Sequence, residues 1–177
     1  MDKMSQKQIK TGRAELDSHA DTCGVNDVAR ILAYTDQVAE VSGFVNSQDS
    51  LKNNIPIIKA AVTYDHPDTG EVIIMMINQA LYFGEQLDEI LLNPNQIRGN
   101  GNIVDDVPKS FGGGKHSISF STDGFTLPLK LRGITSYFPI RTPTVYEIEN
   151  CTMHSLTLDS EWNPYDIHEK TKIEVKQ

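Results

Sequence analysis

The run Leu16-Asp17-Ser18-His19-Ala20-Asp21-Thr22 sets an apolar residue, a carboxylate, a hydroxyl and a small residue in an order suited to acid–base chemistry. Two carboxylates close enough to share one proton can divide the work, one activating water while the other protonates a carbonyl oxygen. Such carboxylates sit on tight loops at strand ends. A hydroxyl residue after the aspartate ties one loop to the other, and a small residue beside it leaves room. Asp17 is the candidate catalytic carboxylate, with Ser18, His19, Ala20 and Asp21 as loop support. The plainer reading of Asp17 is a strand-end aspartate capping a turn. Asp21 lies outside the Asp17-Ser18 pair and reads as a ligand of its own loop backbone or of an arginine.

Other chemistries fit less well. On a straight strand Asp17, His19 and Asp21 share a face over ~13 Å, so the outer carboxylates reach one metal ion only if the chain turns sharply; no metal site is assigned. Cys23 has no identifiable partner for nucleophilic catalysis. Gly112-Gly113-Gly114-Lys115 lacks phosphate-loop spacing and reads as a connector. His66, His116, His154 and His168 read as loop or surface residues. The literal Asp68-Thr69-Gly70 follows His66-Pro67 and reads as turn chemistry, Pro presetting one dihedral and Gly supplying a positive one.

The elements that must position Asp17 are mostly strands. The stretch from Ala14 to about Val28 alternates around the Asp17 run. Residues 37–45 alternate at a period near two, and a polar turn, 46–54, follows. Two apolar runs, 55–64 and 71–77, flank Pro67–Gly70 and predict one long hairpin. Asn93 and Pro94 predict a short helix over about 94–99, as N-cap and first helical residue. Further strands are expected at 117–121, 125–131 and 136–140, separated by Asp123-Gly124 and Arg132-Gly133 turns. Residues 1–13 read as a flexible segment and 141–177 as a tail or linker. The whole predicts an all-β closed sandwich or barrel with one short helix.

Composition narrows the class. Hydrophobic content of 38% and charged content of 23% suit a globular domain. No stretch approaches the ~20 apolar residues that cross a bilayer, and the charged start lacks an apolar signal region, so no membrane partner is expected. Net charge is −8 with scattered basic residues, which argues against a direct nucleic-acid partner. Cys23 and Cys151 form no spaced framework and fit a reducing compartment.

Asp17-Ser18-His19-Ala20-Asp21-Thr22 resembles the Asp-Ser-Gly-Ala segment of copia-type and retroviral proteases. Asn78-Gln79-Ala80-Leu81-Tyr82-Phe83, followed by Glu89 to Ile97 (EILLNPNQI), is similar to a later block of the copia-type retrotransposon protease segment. The likeness covers about 14–101, with a weaker echo over 116–140. It implies a retropepsin-like domain over 14–140, acting as an aspartic endopeptidase on an extended peptide of its own polyprotein, without cofactor. Because the chain offers one such aspartate, a working cleft implies a homodimer with one Asp17 per chain, Ser18 locking each loop to its partner. The hairpin tip Pro67, Asp68, Thr69 and Gly70 would be the flap over the substrate. An intracellular, cytoplasmic protein, or one packed in virus-like particles, is implied. His19 stands where the family has glycine; the alternative is therefore an inactive retropepsin-like module with His19 filling the cleft. Asn93 replaces a glycine of retroviral members and a serine of copia-type ones.

Overall fold

The computed structural model describes residues 7–42, 51–122 and 124–165. The expected positions 43–50, Asp123 and His168 lie outside them, as do 1–6 and 166–177. The described chain is mostly strand: β1 (Thr11–Leu16), β2 (Gly24–Asn26), β3 (Arg30–Ser42), β4 (Leu51–Asp65), β5 (Val72–Gly84), β6 (Ile90–Leu92), β7 (Ile103–Asp105), β8 (Ser117–Ser119), β9 (Thr126–Pro128), β10 (Lys130–Arg132), β11 (Thr135–Arg141) and β12 (Met153–Ser155). Two short α-helices, α1 (Pro94–Arg98) and α2 (Val145–Asn150), and a 3-10 turn at Lys109–Phe111 interrupt them, where one short helix was expected.

One sheet runs β10-β11-β1-β6-β2-β5-β4-β3. A bridge between Arg141 of β11 and Thr63 of β4 joins the path from β11 to β4 into a closed ring. β7, β8 and β9 form a separate antiparallel sheet. Alternation on β4 turns Ile58, Ala60, Val62 and Tyr64 inward, to meet Ile73, Met75 and Ile77 of β5 and Phe138 of β11. Tyr64 and Phe138 pack edge to face, ring centroids 6.2 Å apart. Each fully buried side chain of this size contributes about 1.5–3 kcal/mol, so this interior holds the ring closed.

The long hairpin forms as the sequence predicts, β4 pairing antiparallel with β5 from Ile57↔Leu81 to Asp65↔Val72. Its turn is set by His66, whose Nδ1 accepts the N–H groups of Asp68 and Thr69, and by Gly70 at φ +72°.

Both ends of the chain depart from expectation. Thr11–Arg13, placed in a flexible segment, are strand, because backbone pairing with Pro139–Arg141 is indifferent to side-chain polarity. The segment from 141, read as a tail, enters the fold. Thr144 and Glu147 form a reciprocal capping box that starts α2. β12 then pairs parallel with Ile74–Met76 of β5, and Leu156 and Thr157 are fully buried.

β5 has one edge and two clients on it: β12 at Ile74–Met76 and β2 at Leu81–Gly84. Between them the ladder breaks at Asn78 and Gln79, the latter at φ +56°, a backbone state that non-glycine residues seldom occupy. Thr157 takes over there: its hydroxyl accepts the Asn78 N–H and donates to the Asn78 carbonyl, both at 2.7 Å.

Candidate active site

Asp17 follows the last residue of β1 and lies at the mouth of a loop, 17–23, that leads into β2. β6 passes between these strands, parallel to β1 (Leu16↔Leu92) and antiparallel to β2 (Gly24↔Leu91). The two ends of the loop are therefore clamped to one strand. The Asp17 N–H extends the β1–β6 pairing by donating to the Leu92 carbonyl at 2.9 Å. Asp17 Oδ1 accepts the His19 N–H at 2.9 Å, which closes the turn.

Residues just after β6 hold the rest of the loop. Asn93 caps α1 through Oδ1, accepting the Gln96 N–H at 2.8 Å, and its Nδ2 donates to the Ala20 carbonyl. Gln96, 2% exposed, accepts the Cys23 N–H at 2.8 Å through Oε1. Its Nε2 donates to the Gln79 carbonyl at 3.1 Å, giving an acceptor group in the broken ladder of β5 a partner. The Trp162 indole N–H donates to the Asp21 carbonyl at 2.9 Å. Asp21 itself is exposed. The sequence flagged Asn93 as a cap but not as a brace of this loop. It gave no sign of Gln96 and Trp162, whose partners lie 73 and 141 positions away.

The loop borders a cleft of about 520 Å³ lined by Asp17, His19, Ala20 and Asp21, with Val41, Leu81, Phe83, Leu87 and Leu91 forming much of an apolar wall. Ser18 is exposed, and Asp17 is half-buried. Burial pushes the Cys23 thiol up to about 12, and its sulfur accepts the Asn93 N–H, so Cys23 is a neutral core residue and not a nucleophile. Among the described residues no group of three or more His, Cys, Asp or Glu side chains is arranged to hold a metal ion.

No protein-family profile matches the chain, nor does any curated protein or any solved structure. No described helix is long and apolar enough to cross a membrane.

The geometry adds to three readings of the sequence. The turn Pro67–Gly70 is not among the residues lining the cleft with Asp17. It joins β4 and β5 where Asp65 faces Val72, whereas Leu81, at the cleft, faces Ile57. That separation is about 30 Å along the strand at ~3.3 Å per residue. Turn chemistry located the hairpin but could not say which of its ends meets the aspartate. The arm bordering the cleft is instead β3–β4, through Val41. His116, read as a loop or surface residue, lies in the loop before β8 but is only 6% exposed, and its Nε2 pairs with the Ser136 hydroxyl at 2.8 Å. His19 lacks the backbone strain that a glycine position implies: the described non-glycine residues at positive φ are Asp36, Asn54, Gln79 and His116.

A second apolar-Asp-Ser order, Leu158-Asp159-Ser160, went unremarked in the sequence. Asp159 is exposed and pairs with Lys59 at 3.1 Å, and it is not among the residues lining the cleft.

Proposed function

We propose that the chain is an aspartic endopeptidase of the retropepsin-like, copia-type class, acting on an extended peptide of its own polyprotein as a homodimer with one Asp17 per chain. The observation that carries this reading is the clamped loop: Asp17 follows β1, which contributes Ala14 to the core, its backbone is bonded to β6, and its loop borders an apolar cleft. A proton-sharing carboxylate needs such fixed placement, because its partner must be met at hydrogen-bond distance. The closed all-β ring agrees with the sequence resemblance. Within a dimer the two Asp17 carboxylates share one proton and activate water, Ser18 bonds across to the partner loop, and the β3–β4 arm borders the bound peptide. Activity favours acidic pH, where one carboxylate of such a pair keeps its proton.

A second reading has its own observation. His19 lines the cleft, and an imidazole there occupies space that glycine leaves open, as a non-catalytic binding module would tolerate. Incubation of the purified chain with a peptide mixture, read by mass spectrometry, separates the two. The endopeptidase reading expects cleavage by the wild type and none by Asp17→Asn. Cleavage that survives Asp17→Asn contradicts it, and an inactive wild type favours the binding module.

A further inference from the structure

The Asp17 cleft continues into a second hollow of about 400 Å³, with Asp21, Thr22, Val41 and Leu81 lining both. One wall of this hollow comes from the segment after β12: Trp162, Pro164 and Tyr165. They stand opposite Ala39, Glu40, Val41 and Ile57 of the β3–β4 arm and Gln79 of β5. The segment is tied to the fold at two points before this wall is complete. Thr157 is tied to Asn78 inside the core, and Trp162 is tied by its indole N–H to Asp21. The wall is thus a built part of the fold, held against the loop that carries Asp17.

The chemistry of the joined hollows is one-sided. Their apolar surface comes from Val41, Ile57, Leu81, Phe83, Leu87, Leu91 and the Trp162 ring. Among the described residues that line them the carboxylates are Asp17, Asp21 and Glu40, with no lysine or arginine. Asp21 and Glu40 are both exposed and so available to a solvated cation. β3 is the end strand of its sheet path, so its outer edge offers backbone groups to an extended chain.

We infer that residues 162–165 build a second peptide subsite beside the Asp17 cleft, one that takes an apolar side chain against Trp162 and a neighbouring basic residue against Asp21 and Glu40. The ligand class is an extended peptide in which an apolar residue adjoins lysine or arginine. Trp162 has two parts in this: its ring contacts the peptide, and its N–H positions the Asp21 backbone. This assignment rests on the reading that the cleft receives a peptide, and it does not require that the peptide be cut.

Trp162 is the chain's single tryptophan, so its fluorescence reports on this hollow alone. The probe is the peptide acetyl-Lys-Ala-Val-Phe-Leu-Lys-amide, titrated into the full-length Asp17→Asn chain so that binding is seen without hydrolysis. Control peptides replace Leu, the apolar neighbour of the second Lys, by Ser or both Lys by Gln. A saturable change in Trp162 emission is expected with the parent peptide, and about tenfold weaker binding with either control. By calorimetry, Trp162→Ala should weaken the parent peptide by about tenfold. Trp162→Phe keeps a ring and should lose less, which separates a subsite from a mere brace of the loop. Glu40→Gln should lower affinity for the lysine peptide and leave the Gln peptide unchanged. Emission that ignores the peptide while the wild type cleaves it overturns the subsite and spares the endopeptidase reading. Equal affinity for parent and control peptides overturns it as well. A saturable, side-chain-selective change in a chain that cleaves nothing upholds the subsite and removes the protease.

Discussion

Gln96 Oε1 accepts the backbone N–H of Cys23 at 2.8 Å, so one buried amide fixes the far end of the loop that begins at Asp17. The same side chain donates to the Gln79 carbonyl, where β5 has exchanged one neighbour strand for another. A residue on a one-turn helix thus joins the candidate active-site loop to the irregular centre of the barrel.

Gln96→Leu should be costly beyond its change in polarity. It fits the volume but leaves the Cys23 N–H and the Gln79 carbonyl buried without these partners. Each such group costs about 1–3 kcal/mol. Urea unfolding should show a loss of ~2 kcal/mol or more; a loss under about 0.5 kcal/mol would mean the loop is held by Asn93 and Trp162 instead.

The C-terminal segment should behave as core and not as a tail. Thr157→Val keeps the shape and removes the hydroxyl that serves both backbone groups of Asn78. A loss of about 2 kcal/mol is expected by thermal or urea unfolding. A chain ending at Cys151 should lose far more, since it lacks β12 and the buried Leu156. Retention of wild-type stability by that truncation would return residues 152–165 to the status of a linker.

Glu147 gives the fold a calculable acid sensitivity. Hydrogen bonding to the Arg141 guanidinium holds its carboxyl below the ordinary 4.5. A carboxyl depressed in the folded state stabilises above its unfolded value, and that contribution fades as pH falls toward the folded one. Glu147→Gln can still bond the Thr144 N–H but carries no charge. At neutral pH it should unfold about 1 kcal/mol more easily. The gap between variant and wild type should close as pH drops below about 4.5. A gap that stays constant or widens in acid would contradict the ion pair.

What the sequence made legible was local. The Pro67–Gly70 turn, the Asn93-Pro94 helix start and the period-two runs on β4 and β5 each depend on residues within a few positions of one another. The placement of that hairpin relative to Asp17 depends on the register of β5 against β2 and β12, which no short window encodes. β12 itself is three residues long and is made a strand by its parallel neighbour, not by its own pattern. The capping box at Thr144 and Glu147 was visible as Thr-x-x-Glu, and the polar tone of the region masked it. Gln96 reads as an ordinary polar helix residue until its two distant backbone partners are known.

Two substitutions test the revised geometry around Asp17. Asp68→Asn changes a turn at the far end of β4–β5 and should leave peptide cleavage within about twofold of wild type; a loss as deep as that of Asp17→Asn would show that the wrong aspartate was chosen. His19 lines the cleft without backbone strain, so His19→Gly acts through space and hydrogen bonding alone. A faster rate in His19→Gly marks the imidazole as an obstruction, and a slower one gives it a positive part in the site.

The central claim is that two chains each supply one Asp17 to a shared site. Subunit mixing tests it most directly: wild type and Asp17→Asn are combined in equal parts, unfolded and refolded together, and assayed for peptide cleavage. Random pairing leaves about a quarter of the dimers with two Asp17 residues. Cleavage should then run at about a quarter of the rate given by the same total amount of wild type. A rate of about one half would mean that each chain works with its own Asp17 alone, and the shared-proton dimer would be wrong.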